Sequence, residues 1–365
     1  MVARRLGTTI LLLLVLAACT PAPEPTPDGA TADPTAWSAR VQASADRTTL
    51  TDRGLALPDG ARVLAARIVP GGDAPAYAFY EAGGGGFGND FFPASAIKLL
   101  AALGALDFAR SLGFTGDAVV DGGYTLREYY DAALRWSSNE DYSSLVRIAG
   151  VDHLNRRFLP EHGFLATAIQ EPYGAGEQVT WSPEMTLTEG DREVVVPERE
   201  GEPDYGCGGG NCASLFDMAE AIRRVVLDAE VPDSERFDLD PADIAGLQNA
   251  LAGAEGFIAP GVVDALGPEV RIFTKPGWVP ELECVEAALV IDDATGHRFL
   301  VAVSAPDDGT CEELATMAYE VLRTIETCED GNALRADGSR VGVAGGRQTG
   351  SASLDGPADT GCNLH

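Results

Sequence analysis

Strand-like runs stand at both ends of the globular part of this chain, and a long helix-patterned stretch separates them. That order restricts the fold more than any other feature. Residues 61–69, 76–81, 270–275, 284–292 and 297–304 are rich in Val, Ile, Ala and aromatics and are bounded by Gly and Pro, so they read as strands. Pro93 opens a helix over 94–110, where Pro suits the first turn. Thr125 and Glu128 form a capping box for a helix over 126–136. Further helices are expected over 140–149, from Ser214 and Asp217 to about Leu227, and over 241–252. A helical pattern follows Pro34 to about Ala45, and Thr310 with Glu313 is a capping box opening a last helix to about 326. The expectation is an α+β fold: one antiparallel five-stranded sheet flanked by helices, with an all-helical subdomain over about 95–252. Within that subdomain, residues 186–212 are acidic, rich in Gly and Pro and without helical period, so they read as a long loop or arm.

The ends of the chain read differently. Arg4 and Arg5 precede an apolar run from Ile10 to Ala18, too short to span a bilayer, so residues 1–18 read as a secretory signal. Small residues lead directly into Cys19, a pattern that resembles the lipobox of bacterial lipoproteins and implies a lipidated Cys19. Residues 20–35 read as a Pro/Thr-rich tether and 331–365 as a low-complexity tail, which leaves 36–330 as the domain. The expected location is extracytoplasmic, lipid-anchored to a bacterial membrane at the cell envelope. Six cysteines remain after Cys19. In an exported protein they suggest disulfides, with 15 pairings possible. Cys207 and Cys212 flank a short Gly-rich turn and are the candidate local pair. No His stands near the cysteines and their spacing does not suit zinc, so no metal and no cofactor is expected.

Charge sharpens the functional reading. The formal net charge is −30, which excludes a phosphate-reading surface and so a nucleic-acid partner. Of 26 basic residues only two are lysines, Lys98 and Lys275. Lys differs from Arg in that its pKa can fall until it serves as a base.

Ser95 stands three residues before Lys98 at a helix start. The spacing places both on one face, so the amine can reach the hydroxyl, and a serine needs such a base to become a nucleophile. Ser137 and Asn139, two apart in a loop after the capped helix, can present a hydroxyl and an amide to one site. Lys275 ends a strand two residues before Gly277, which lets a ligand approach the backbone. With 15 Ser in 365 residues, a random Lys follows a Ser at this spacing about 4% of the time, so both lysines falling in such patterns is a coincidence on the order of 1%.

In chain order these three pieces resemble the S-x-x-K, S-D-N and K-T-G motifs of penicilloyl-serine enzymes. The segment TLREYYDAALRWSSNEDYSSLVRIAGVDHLNRRFL is similar to the matching region of class A β-lactamases. The resemblance covers 36–330 and implies the β-lactamase/transpeptidase fold, a serine hydrolase acting through an acyl-enzyme, and β-lactam ring opening. It implies Ser95 as nucleophile, Lys98 as its base or proton relay, Ser137 as the group that passes a proton to the leaving nitrogen, Asn139 as substrate orienter and Lys275 as a source of positive charge. It also implies an oxyanion hole from the Ser95 and Trp278 backbone N–H groups, and Glu171, followed by Pro172, as the base that activates the deacylating water.

The sequence also departs from that family. Ser138 replaces the Asp of the second motif, Pro276 the Thr of the third, and Ala175 the Asn that partners the family's Glu. The strand over 284–291 offers no Arg as a carboxylate clamp. The expected partners are therefore a small-molecule or peptidoglycan-type acyl substrate and, through the lipid, a membrane; the chain is expected to be a monomer. A non-catalytic or slow-turnover lipoprotein that binds peptidoglycan or a related ligand is the alternative, favoured by Pro276 and Ser138.

Overall fold

The computed structural model describes residues 47–50, 55–69, 76–84, 86–88, 92–173, 180–208 and 210–336, without the side chains of 47–49, 69, 76 and 328–336. The expected signal segment, Cys19, the tether, the helix after Pro34, Ala175 and the tail beyond 336 lie outside these residues.

The terminal strands meet in one sheet. It has the order β1 (Arg47–Thr49), β3 (Ala76–Ala82), β2 (Arg62–Val69), β11 (Arg298–Pro306), β10 (Glu283–Asp292), β9 (Val270–Val279). Five of these strands pair antiparallel as expected; the sixth, β1, adds a parallel edge beside β3. The central strands are apolar on both faces because both faces are covered. Val63, Ala65, Ala288, Val290, Val301 and Val303 belong to one core, with α6 (Ala259–Leu266) and α7 (Glu313–Ala336). Leu64, Ala66, Ala287, Leu289, Leu300 and Ala302 belong to the other, with α1 (Lys98–Ser111) and α4 (Leu215–Val226). Alternation at period two sends neighbouring residues to opposite layers.

The helices largely start and stop where their caps dictate. Thr125 Oγ1 accepts from Glu128 N while Glu128 accepts from Thr125 N, opening α2 (Leu126–Arg135). Ser138 Oγ accepts from Asp141 N at 3.3 Å and opens α3 (Asn139–Ala149). Ser214 caps α4 through Asp217 N. The capping box expected at Thr310 does not form. Asp308 accepts the Thr310 N–H that Glu313 would have taken, and α7 begins at Glu313. That helix runs to Ala336 rather than 326, carrying helix into the expected tail.

The subdomain is not all-helical. Its acidic arm folds into a hairpin, β6 (Met185–Glu189) and β7 (Arg192–Val196), which β4 (Val119–Val120) extends. Met185, Leu187 and Val196 are buried, a period-two pattern, and the two-residue Gly190-Asp191 turn has Gly190 at φ 58. The expected loop is a strand pair because its apolar residues recur at period two, not at a helical period. A second small sheet joins β5 (Trp181–Ser182) to β8 (Arg199–Glu200). Two disulfides tie loops down: Cys207–Cys212 in the rest of the arm, and Cys284–Cys311 between β10 and the approach to α7.

Candidate active site

Edge strand β9 runs past the start of the first long helix, and the site lies where they meet. Ala94–Ile97 form a 3-10 turn that continues into α1. Gly277 makes the approach possible: a Cβ there would stand 2.9 Å from both Ala96 N and Pro93 O and 2.8 Å from Val285 Cγ1. The turn and strand carry Ser95 and Trp278 into a cleft of about 340 Å³. Asn139, Glu171, Pro172, Tyr173, Phe92, Ala94, Val279 and Pro280 complete its lining. Ser95, Asn139, Glu171 and Trp278, far apart in sequence, thus share one cleft.

Beneath it lie both lysines, each 0% exposed. Lys98 Nζ donates to Ser137 O at 2.5 Å, Asn139 Oδ1 at 2.7 Å and Ser137 Oγ at 3.4 Å. Lys275 Nζ donates to the same Ser137 Oγ at 3.0 Å and to Pro276 O at 2.9 Å. The Ser95–Lys98 hydrogen bond expected from the spacing is not among them. The amine is instead drawn inward to the Ser137 carbonyl and the Asn139 amide oxygen.

Burial sets the charge on these amines. Loss of water lowers Lys98 to about 7, against a weaker opposing pull from Asp141. The amine sits 5.8 Å from the centroids of both Tyr142 and Tyr173, whose rings pack against each other at a tilt of 33° and cover that side. Burial, aided by the nearby Lys98 and opposed by Glu286, likewise lowers Lys275 to about 7. On the opposite face of β10, Glu286 lies next to Pro276 and is itself 0% exposed. Burial raises its carboxyl to about 6, even though it accepts from Phe257 N, Ile258 N and Thr274 Oγ1.

The backbone is strained at two points of the site. Ala94 has φ 47 and Ser137 φ 56, a region non-glycine residues enter at a cost of about 1–3 kcal/mol and hold only where surroundings enforce it. One strained residue precedes Ser95; the other carries the hydroxyl shared by the two lysines.

Several contributors had no sequence signal that pointed to them. Asn211, inside the Cys207–Cys212 loop, is buried and clamps the loop that carries Glu171. Its Oδ1 accepts from Gln170 N and Glu171 N, both at 2.9 Å. Its Nδ2 donates to Glu171 O at 2.9 Å and Tyr142 Oη at 3.0 Å. Ala168 and Cys212 exchange both backbone bonds beside it. Tyr173 Oη donates to Ala94 O, joining the same loop to the strained turn. Ser138, at the position of the motif's Asp, spends its side chain on the α3 cap. The one cluster of metal-ligating types among the described residues is Cys284, Asp307 and Cys311, whose two sulfurs are bonded to each other.

No family model matches the chain, and no curated protein matches it. Among solved structures it is similar to PBP-A, at 16% identity and TM-score 0.52, over 77% of this chain and 98% of that one. It is also similar to a class A β-lactamase from Mycobacterium abscessus, at 15% identity and TM-score 0.48, over 80% and 99% of the two chains. L2 complexed with relebactam stands at 16% identity and TM-score 0.49, over 80% and 98%. At such identities likeness speaks for fold alone. The chain has the β-lactamase/PBP fold, the α+β scaffold on which the motif resemblance placed it.

Proposed function

We propose that the chain is a serine hydrolase that works through an acyl-enzyme on Ser95 and opens amides of the β-lactam ring type. The observation that carries this reading is the meeting of the chain's only two lysines, both buried, on Ser137 Oγ beneath the cleft that holds Ser95. Near neutral pH both amines hover at their titration points, so a proton can leave one group and be supplied by another.

In this reading Ser95 Oγ attacks the acyl carbon and its proton passes to the unprotonated Lys98 amine. The carbonyl π pair moves to oxygen, which the Ser95 and Trp278 backbone N–H groups receive. The tetrahedral species collapses, the C–N bond breaks, and nitrogen takes the Ser137 Oγ proton while Lys98 returns its own to Ser137. Glu171 then takes a proton from water as the water oxygen attacks the acyl carbon, and Ser95 Oγ departs with that proton. The sum is amide plus water giving acid plus amine. Lys275 holds Ser137 in place and shares its proton, a weaker source of positive charge than an exposed lysine would be. Cys19 would carry the lipid that anchors the domain outside the cytoplasm.

Intact mass of residues 20–365, followed over time with penicillin G beside Ser95→Ala, tests the reading. A transient adduct on the parent alone, with drug consumed, is the expected result. A persistent adduct would favour the slow-turnover alternative, for which Pro276 speaks. Drug consumption by Ser95→Ala at the parent rate would refute the role of Ser95.

A further inference from the structure

We infer that the Ser95 cleft turns over neutral acyl donors, with an apolar or aromatic acyl group, faster than donors that carry a carboxylate, penicillins among them. The inference deepens the proposed function and rests on its acyl-enzyme reading.

Three observations carry it. First, the described residues that line the cleft include no cation. They are Ser95, Asn139, apolar and aromatic groups, and one acid, Glu171. Second, the two ammonium groups underneath are withdrawn. Both are 0% exposed, Lys275 Nζ is bonded to Ser137 Oγ and Pro276 O, and Lys98 Nζ to Ser137 and Asn139. Third, the residue that follows Lys275 offers an anion no donor. Pro276 has neither hydroxyl nor backbone N–H, and the side chain on β10 directly paired with it is the buried carboxylate of Glu286. A carboxylate entering this cleft would shed water without gaining a charged partner, against the field of Glu171. A neutral acyl chain would lie on Phe92, Tyr173 and the half-exposed Trp278, 48% accessible, and lose nothing.

The step is the one already balanced above, with an ester or amide R–CO–X: Ser95 Oγ displaces X, which leaves with the Ser137 proton, and water releases R–COOH.

Two p-nitrophenyl esters of equal length test it: p-nitrophenyl pentanoate, neutral, and mono-p-nitrophenyl glutarate, which ends in a carboxylate. Release of p-nitrophenol is read for the parent, for Ser95→Ala and for Pro280→Lys, which sets a cation on the cleft rim. The expected result is a kcat/KM for the neutral ester at least roughly tenfold above the acidic one, a gap that narrows several-fold in Pro280→Lys, with Ser95→Ala inactive on both. Equal rates, or a preference for the acidic ester, with Ser95→Ala inactive would overturn the selectivity and leave Ser95 catalysis standing. Ser95→Ala turning over both esters like the parent, or no turnover of either ester by the parent, would remove the acyl-enzyme reading and the selectivity with it.

Discussion

Truncating Asn211 separates the second half of the proposed reaction from the first. Its side chain makes four hydrogen bonds that hold Gln170, Glu171 and Tyr142 together, and both Asn211 and Gln170 are buried. Asn211→Ala strands the N–H groups of Gln170 and Glu171, at about 1–3 kcal/mol for each unsatisfied group. Water entering the vacated space recovers part, so a loss of about 3 kcal/mol is expected from thermal or urea unfolding. The larger effect is kinetic. Glu171 would no longer be held in the cleft, and a misplacement of about 1 Å in a positioned group costs about a hundredfold in rate. Ser95, Lys98 and Ser137 stand on other elements, linked to the Glu171 loop through Tyr173 Oη and Ala94 O and through Tyr142, so acylation is expected to change far less than deacylation. Single-turnover mass spectrometry with a penicillin or an activated ester should show acylation within a few-fold of the parent and an adduct that persists about a hundredfold longer. Asn211→Asp, which keeps the acceptor to Gln170 N and Glu171 N, should recover part of the loss. If acylation and deacylation fall together, or neither changes while stability drops, Asn211 is structural only and the role drawn for Glu171 loses its support.

Other outcomes follow from the same geometry. Because burial lowers Lys98 and Lys275 to about 7, and they share Ser137, acylation should rise as pH climbs through 7 and fall once the pair has lost both protons; the optimum belongs to the pair and lies near neutrality rather than near 10. Stopped-flow acylation from pH 5 to 9 measures it. Gly277→Ala places a Cβ against two backbone atoms that cannot yield, so unfolding experiments should show a loss of about 1–3 kcal/mol, with acylation slowed as β9 moves off the Ser95 turn. Glu286 is raised from 4.5 to about 6 by burial, so it binds protons more readily folded than unfolded and stability falls as pH rises through that window, by about 2 kcal/mol at most. Glu286→Gln should remove that fall, seen as a smaller difference in urea midpoint between pH 4.5 and 6.5. In cells, Cys19→Ser should move the chain from the detergent phase to the aqueous phase on partition.

Legibility followed how local each signal was. Ser95, Lys98, Ser137, Asn139 and Lys275 were readable because each sits in a short pattern with a chemical reason for its spacing, and the two-lysine census concentrated attention on them. The five antiparallel strands of the sheet and helices α2, α3 and α5 (Pro241–Ala252) are readable from periodicity and caps; the short parallel edge β1 is not. The hairpin over 185–196 carries its own signal, a period-two alternation on either side of a Gly-Asp turn, inside a segment whose acids, Gly and Pro read as loop. The clamp at Asn211 was not: it acts some 40 residues from the loop it holds, through contacts that exist only once the chain is folded. The Cys-Gly-Gly-Gly-Asn-Cys turn was a hint that an Asn was being held rigid, without saying for what. Nor did the pattern foresee that Lys98 would face Ser137 and Asn139 rather than Ser95, since spacing fixes a face and the opposing loop chooses the bond. Glu286 is illegible for a different reason: one acid within an apolar strand announces burial but not its partners.

The most direct test of the central claim is to locate the acyl group. The soluble domain would be quenched in acid seconds after mixing with an activated neutral ester, digested with trypsin, and the peptide that ends at Lys98 sequenced by mass spectrometry. The account predicts one acyl group, on Ser95, absent from Ser95→Ala. An acyl group on another residue, at the same level in parent and Ser95→Ala, would contradict it.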